Sequence, residues 1–293
     1  MRDKPIGGGA GSKREAALLV VATPIGNLED VTARALRALR EADLIACEDT
    51  RTTAKLLSAH GIGTPTTPYH DHNAEKARPK LLAALEGGKT VALVSDAGTP
   101  LVADPGFKLV REAIARNIRI VPIPGPSAAL AALVVSGLPS DRFLFAGFLP
   151  ATSSARKTAL KDLAAVPATL VFFESPQRLA ESLADMAAVL GDRPAAVARE
   201  LTKLFEEVRR GPLPELAAHY AGEAEVRGEI ALVIGPPGEA EAPAAETLDD
   251  ALRVALAGAS VKDAASEVAA RYGLNRRQVY ARALELRREA GTP

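Results

Sequence analysis

The chain holds one cysteine, Cys47, and four histidines in 293 residues. A lone thiol cannot close an internal disulfide, and no Cys/His spacing resembles a zinc site. A reducing, cytoplasmic setting and no metal are therefore expected. Net charge is also missing: 36 Lys plus Arg balance 36 Asp plus Glu, so no global field draws the chain to nucleic acid or to an anionic membrane. Any basic surface must be local. Long apolar runs are lacking too. The best, 128–138, is broken by a Ser and a Gly and falls far short of the roughly 18 residues that span a bilayer. The first fifteen residues are Gly-rich with mixed charge and have no apolar signal-peptide segment, which predicts a disordered leader over 1–16.

What is there suits a globular protein: 47% hydrophobic and 25% charged residues are enough to bury a core. Short β-rich runs at 18–22, 44–47, 91–95 and 119–123 alternate with helical periods at 31–41, 52–59, 75–85 and 107–115. This predicts an α/β lobe over 17–124 with largely parallel strands. A second α/β lobe, 125–236, opens with a helix at 127–135. Strands follow at 143–148, 169–173, 195–199 and 229–234, with helices at 153–164 and 177–189. Some connections there are short enough for antiparallel pairing. Glu239, Glu241, Glu246, Asp249 and Asp250, with prolines and no basic residue among them, read as an acidic linker over 237–250. The last unit, 251–293, is helical and basic, with eight Arg or Lys against four acids between Arg253 and Ala290. The neutral total hides a polarised tail.

Three Gly/Pro-rich loops follow strands of the first lobe, where open α/β sheets bind ligands. They are A-T-P-I-G-N-L-E-D (22–30), S-D-A-G-T-P (95–100) and P-I-P-G-P-S-A (122–128). None is G-x-G-x-x-G, so a dinucleotide fingerprint is absent. Each alone is as easily a plain β-to-α turn, Asp96 a turn cap and Ser127 a helix N-cap. Together, on one sheet edge, they point to a small-molecule site. Glu48, Asp49 and Arg51 end the second strand with groups suited to base chemistry or to a ribose, or else with acids favoured by a helix N-terminus. His70 and His72 stand in a polar loop without a third metal ligand, which reads as solvated or RNA-facing. In the second lobe F-F-E-S-P (172–176) and A-R-E-L-T-K (198–203) end strands, as a cleft wall or an ordinary strand end would. In the tail, an apolar helix carrying Lys262, a turn at Gly273 and a helix opening with Asn275, Arg276 and Arg277 form a helix-turn-helix pattern, whose second helix presents such side chains to nucleic acid; a small bundle with solvated arginines is the plainer reading.

These motifs in this order, with E-D-T-R-T-T (48–53), resemble the ribosomal RNA small subunit methyltransferase I family, over roughly 18–236 with the basic tail extending it. That family is a branch of the tetrapyrrole-methylase-like, class III S-adenosylmethionine (SAM) methyltransferases. The resemblance implies a two-lobed α/β fold with a C-terminal helical domain, a homodimer, and transfer of the SAM methyl group to the 2′-oxygen of a cytidine in the decoding region of 16S rRNA in the 30S subunit, with no metal. Carried over by position, Pro24, Ile25 and Gly26, then Ser95, Asp96, Ala97 and Thr99, then Ser127 and Ala128 form the cofactor loops, and Glu174 and Leu201 approach it from the second lobe. Glu48 and Asp49 beside Arg51 are candidates to take the hydroxyl proton, with His70 and Glu200 in reserve. The first loop has T-P-I-G-N where tetrapyrrole methylases have a Gly-rich segment, which favours the RNA branch. A tetrapyrrole or diphthine-type methyltransferase would leave the Arg-rich tail dispensable, and a SAM-sensing DNA-binding regulator would bind duplex without turnover.

Overall fold

The computed structural model describes residues 16–223, 225–238 and 245–290. The leader over residues 1–15 and linker residues 239–244 lie outside these. Two compact units result, one of residues up to Gly235 and one beginning at Pro236.

The larger unit opens with β1 (Ala17–Val21), α1 (Ala33–Glu41), β2 (Leu44–Cys47), α2 (Thr50–Ala59), β3 (Thr66–Pro68), α3 (Ala74–Glu86), β4 (Val91–Val94), α4 (Phe107–Ala115) and β5 (Arg119–Ile123). The five strands form a parallel sheet in the order β3-β2-β4-β1-β5. All four residues of β4 are buried, as are four of the five in β1, because helices cover both faces of a parallel sheet and leave no polar side. Leu19, Leu39 and Ile45 pack on one face, and Leu18, Leu82 and Leu109 on the other. Helix α1 starts where Thr32 accepts the Ala35 N–H at 3.0 Å, and it turns Ala35, Ala38 and Leu39 inward.

The same unit continues with α5 (Ala128–Ser136), β6 (Phe143–Phe148), α6 (Ser153–Leu163), β7 (Thr169–Glu174), α7 (Leu179–Leu190), β8 (Pro194–Arg199), β9 (Glu207–Pro212), α8 (Leu213–Ala221) and β10 (Ile230–Ile234). The second sheet runs β6-β7-β10-β8-β9. Only β6 and β7 are parallel; β10 is antiparallel to both β7 and β8, and β9 is antiparallel to β8. Helix α5 lies on this sheet, and Ile25 of the first loop joins Leu133, Val171, Ala198 and Leu201 in one apolar cluster.

The C-terminal unit packs α9 (Ala245–Gly258), α10 (Val261–Tyr272) and α11 (Arg276–Ala290) around Leu252, Val268, Val279, Ala283 and Leu286. Ser260 caps α10 by accepting the Asp263 N–H at 3.2 Å. Gly273 ends it at φ +65, a left-handed position that costs glycine nothing. The stretch expected as linker, 237–250, already contains the first turns of α9. Leu248, Leu252 and Leu256 share a helix face and pack in the cluster, and that burial outweighs the charge of the neighbouring acids. Asp249 is recruited to the fold: Arg282 holds it with two hydrogen bonds of 2.8 and 2.6 Å.

Candidate active site

Loops leave the carboxyl ends of β4, β1 and β5, three neighbouring strands, and hydrogen bonds fasten them together. Thr23 and Gly98 exchange backbone hydrogen bonds of 2.8 and 3.0 Å, and the Thr23 hydroxyl donates to the Ser95 carbonyl at 3.2 Å. Thr99 donates to the Pro126 carbonyl at 3.0 Å. Gly98 has φ +76, where a side chain would be strained. At Gly125 a Cβ would stand 3.0 Å from the Ala22 Cβ, so a side chain there would press the third loop away from the first. Ser127 caps α5.

These loops and the second sheet border a cleft of about 450 Å³, a volume typical of small-molecule sites. Ile25, Glu48, Asp96, Ala97, Thr99, Ser127 and Ala128 line it from the first lobe side, and Phe148, Phe173, Glu174, Leu201 and the 228–231 segment from the second sheet. Among the described residues five carboxylates face it, Glu48, Asp96, Asp104, Glu174 and Glu229, and no Lys, Arg or His does. Such a lining favours a cationic ligand and repels a phosphate.

The carboxylates have different duties. Glu174 is fully engaged: it accepts the Ser175 N–H at 2.8 Å and the Ser182 hydroxyl at 2.5 Å, pinning α7 to the end of β7. Asp96 accepts the Asp49 N–H at 2.9 Å and so ties the loop after β4 to the start of α2. Glu229 meets the Lys203 ammonium at 3.1 Å. Glu48 accepts a backbone hydrogen bond from Asp96 and feels the charge of Asp104. Burial first, and then the charges of Asp104, Asp96 and Asp71, push the Glu48 carboxyl above its ordinary value. Burial and Asp96 push Asp104 up as well, against a hydrogen bond from Ser95.

The other expected residues lie behind the lining or away from it. Asp49 caps α2, and the Arg51 guanidinium grips it with hydrogen bonds of 2.7 to 3.1 Å; that pairing holds its carboxyl down to about 2. The Arg51 side chain is otherwise 88% exposed. His70 stacks edge-on with His72 at 6.0 Å, outside the lining. Glu200 sits at φ +50, and a 2.7 Å bond from Lys203 lowers its pKa. Pro24, Gly26 and Ser95 support the loops from outside the lining. A Cβ on Gly26 would collide with the Lys203 stem, so this glycine lets Lys203 lie across the first loop. Lys262, Arg276 and Arg277 are exposed on the C-terminal unit. Sequence reasoning passed over Phe173 and Lys203, which stand inside quoted motifs, and Asp104, which follows the second loop motif by four residues.

The comparisons with known proteins agree with this geometry. Residues 17–217 match the Tetrapyrrole (Corrin/Porphyrin) Methylases and residues 241–287 the RsmI C-terminal HTH domain. The protein named Ribosomal RNA small subunit methyltransferase I from Mesorhizobium japonicum is 58% identical over 280 residues, 94% of either chain. The chain belongs to the ribosomal RNA small subunit methyltransferase I family. A member of the same name from Escherichia coli O157:H7 is 46% identical over 92% of this chain and 96% of its own. Solved structures share the family's two-lobed body. A diphthine synthase superposes with TM-score 0.59 at 18% identity, over 75% of this chain and 90% of its own. Uroporphyrin-III C-methyl transferase from Thermus thermophilus, complexed with S-adenyl homocysteine, gives 0.53 at 22%, over 75% and 97%. At such identities the likeness is one of fold.

Proposed function

We propose that this family member is a SAM-dependent methyltransferase of small-subunit ribosomal RNA and that it modifies the 2′-oxygen of a cytidine. One observation carries the reading: an acidic cleft, with no basic lining residue among those described, at the carboxyl ends of β4, β1 and β5, in a chain related over nearly its whole length to rRNA methyltransferases. The cleft fits SAM, whose sulfonium and amino groups are cationic and whose adenosine is flat and largely apolar. When bound, SAM supplies a methyl group on a positively charged sulfur.

The chain's own groups do the rest. Asp96 and the neighbouring carboxylates offset positive charge, Ile25, Phe148, Phe173 and Leu201 exclude water, and the Thr99 and Ser127 hydroxyls offer polar contacts beside them. A ribose hydroxyl becomes a good nucleophile only as its proton leaves. Glu48 faces the cleft, and its raised pKa makes it a better proton acceptor than an ordinary carboxylate. Asp49, held near 2, is too weak a base, and Glu200 is neutralised by Lys203. No helix among the described residues is long and apolar enough to cross a membrane, and no metal-binding cluster is found among them. Exposed Leu130, Val134, Phe143 and Leu144 support self-association as a dimer, and a ribosomal substrate sets the enzyme in the cytoplasm. Labelled SAM incubated with undermethylated 30S subunits tests the reading. Label in a 2′-O-methylcytidine of 16S rRNA is expected, and no incorporation would overturn it.

A further inference from the structure

The carboxylates of the donor cleft repel phosphate, so the phosphates flanking the target ribose need cations outside it. A second cleft of about 370 Å³ lies beside it in the first lobe, and Asp104 lines both. Its other walls come from the polar 69–78 segment and from the start of α4. Lys76 and Lys108 line it, exposed and without an ion pair among the described residues. Phe107 stands at its rim, 63% exposed, and the Arg111 guanidinium lies 5.6 Å from the ring centroid. An aromatic face in water, backed by a cation, is the usual platform for an unpaired base. Both helices that begin here, α3 and α4, lack a side-chain cap. The Asn73 side chain serves the preceding turn instead, bonding His70 N and the Pro68 carbonyl at 3.0 Å each.

The wall between the clefts is a strained loop. Leu101 and Ala103 stand at φ +73 and +63, left-handed positions that strain a residue with a side chain. A Cβ on Gly106 would come 2.9 Å from Leu93, so the loop keeps this course only with glycine there. The strain holds Asp104 where the two clefts meet.

We propose that the second cleft is the RNA subsite next to the reacting ribose. It takes one unpaired nucleotide adjoining the target, with the base on Phe107 and its phosphates on Lys76 and Lys108. Carboxylates Asp71, Glu75 and Asp104 also line it, which suits a nucleotide with base and sugar donors better than a free anion. The proposal rests on the chain being an RNA methyltransferase.

The test uses the full-length chain with Phe107→Ala and, separately, Lys76→Ala with Lys108→Ala. Phe107→Ala is expected to raise the KM for undermethylated subunits about tenfold, the contribution of one stacked base, and Phe107→Trp to restore it. The double lysine variant is expected to weaken binding and to make the slope of log affinity against log salt shallower by about 1.4. The Kd for SAM, by calorimetry, stays at the wild-type value in each. Unchanged KM and salt slope in an active background overturn the proposal, and so does a parallel loss of SAM affinity. Absence of methylation by the wild type would instead overturn the RNA reading itself.

Discussion

Glu48 and Asp49 are adjacent carboxylates with opposite properties, and the cause is one turn of backbone. Asp49 points to solvent as the N-cap of α2 and meets Arg51, whereas Glu48 faces the cleft toward Asp104 and Asp96. The sequence shows both acids beside an arginine, and nothing in their order tells which one the arginine neutralises. Asp104 was hidden for a related reason: within S-D-A-G-T-P-L-V-A-D-P-G it reads as a turn residue, and only the left-handed Leu101 and Ala103 bring it back to the cleft. Glu48→Gln is expected to lower kcat about 10²- to 10⁴-fold with SAM affinity within a few-fold of wild type, checked by single-turnover assay and calorimetry. Because Glu48 acts when deprotonated, kcat rises with pH through its raised pKa. Asp104→Asn removes the foremost charge that raises it and should move that rising limb to lower pH. Asp104 itself holds its proton more tightly folded than unfolded, so its contribution to stability is full at low pH and is lost as pH rises through the folded value. The same variant should then be more stable at pH 7, with the gain vanishing in acid; thermal melts across pH check this.

Between elements, the Lys203 stem crosses Gly26 while its ammonium bonds Glu200 and Glu229. The first loop and the turn after β8 are therefore packed as one piece. Gly26→Ala should displace Lys203 and weaken SAM binding, and Lys203→Ala should suppress part of that loss. A coupling of about 0.5–3 kcal/mol is expected in the double-mutant cycle, and additive effects would show the two loops to be independent. This contact joins residues far apart in sequence, so no local pattern announces it. Buried strands are another matter: L-L-V-V in β1 and V-A-L-V in β4 declare themselves by composition. The elements passed over are the edge strands β3 and β9 and the helices α8 and α9. Strand β3 is Thr-Thr-Pro and β9 is E-V-R-R-G-P, polar because each pairs on one side only. Arg210 of β9 also serves α5, donating to the Ser136 carbonyl at 3.2 Å, a favourable end for a cation. Helix α9 looked like a linker because the 237–250 stretch holds five acids, prolines and one leucine, and only the four-residue spacing of Leu248, Leu252 and Leu256 reveals the buried face.

For the whole molecule, the zero net charge averages a donor cleft lined by carboxylates with a basic stretch over 253–290 of the C-terminal unit. Within that unit the basic residues do not act alike. Arg282 is committed to Asp249 and Glu285, whereas Arg276 and Arg277 open α11 toward solvent, where the Asn275 carboxamide caps the helix by accepting the Arg277 N–H at 2.9 Å. Arg276→Ala with Arg277→Ala should leave SAM affinity unchanged and weaken subunit binding, with a salt slope shallower by about one unit or more. Equal binding at every salt concentration would make α11 purely structural. The strand order has a further consequence for synthesis. Strand β1 is made first, yet its two partners are β4 and β5, so it cannot be enclosed until the chain has reached Ile123. At about 5–20 residues per second, the nascent apolar segment waits several seconds beside the exit tunnel, which makes it a natural client for a chaperone stationed on the ribosome.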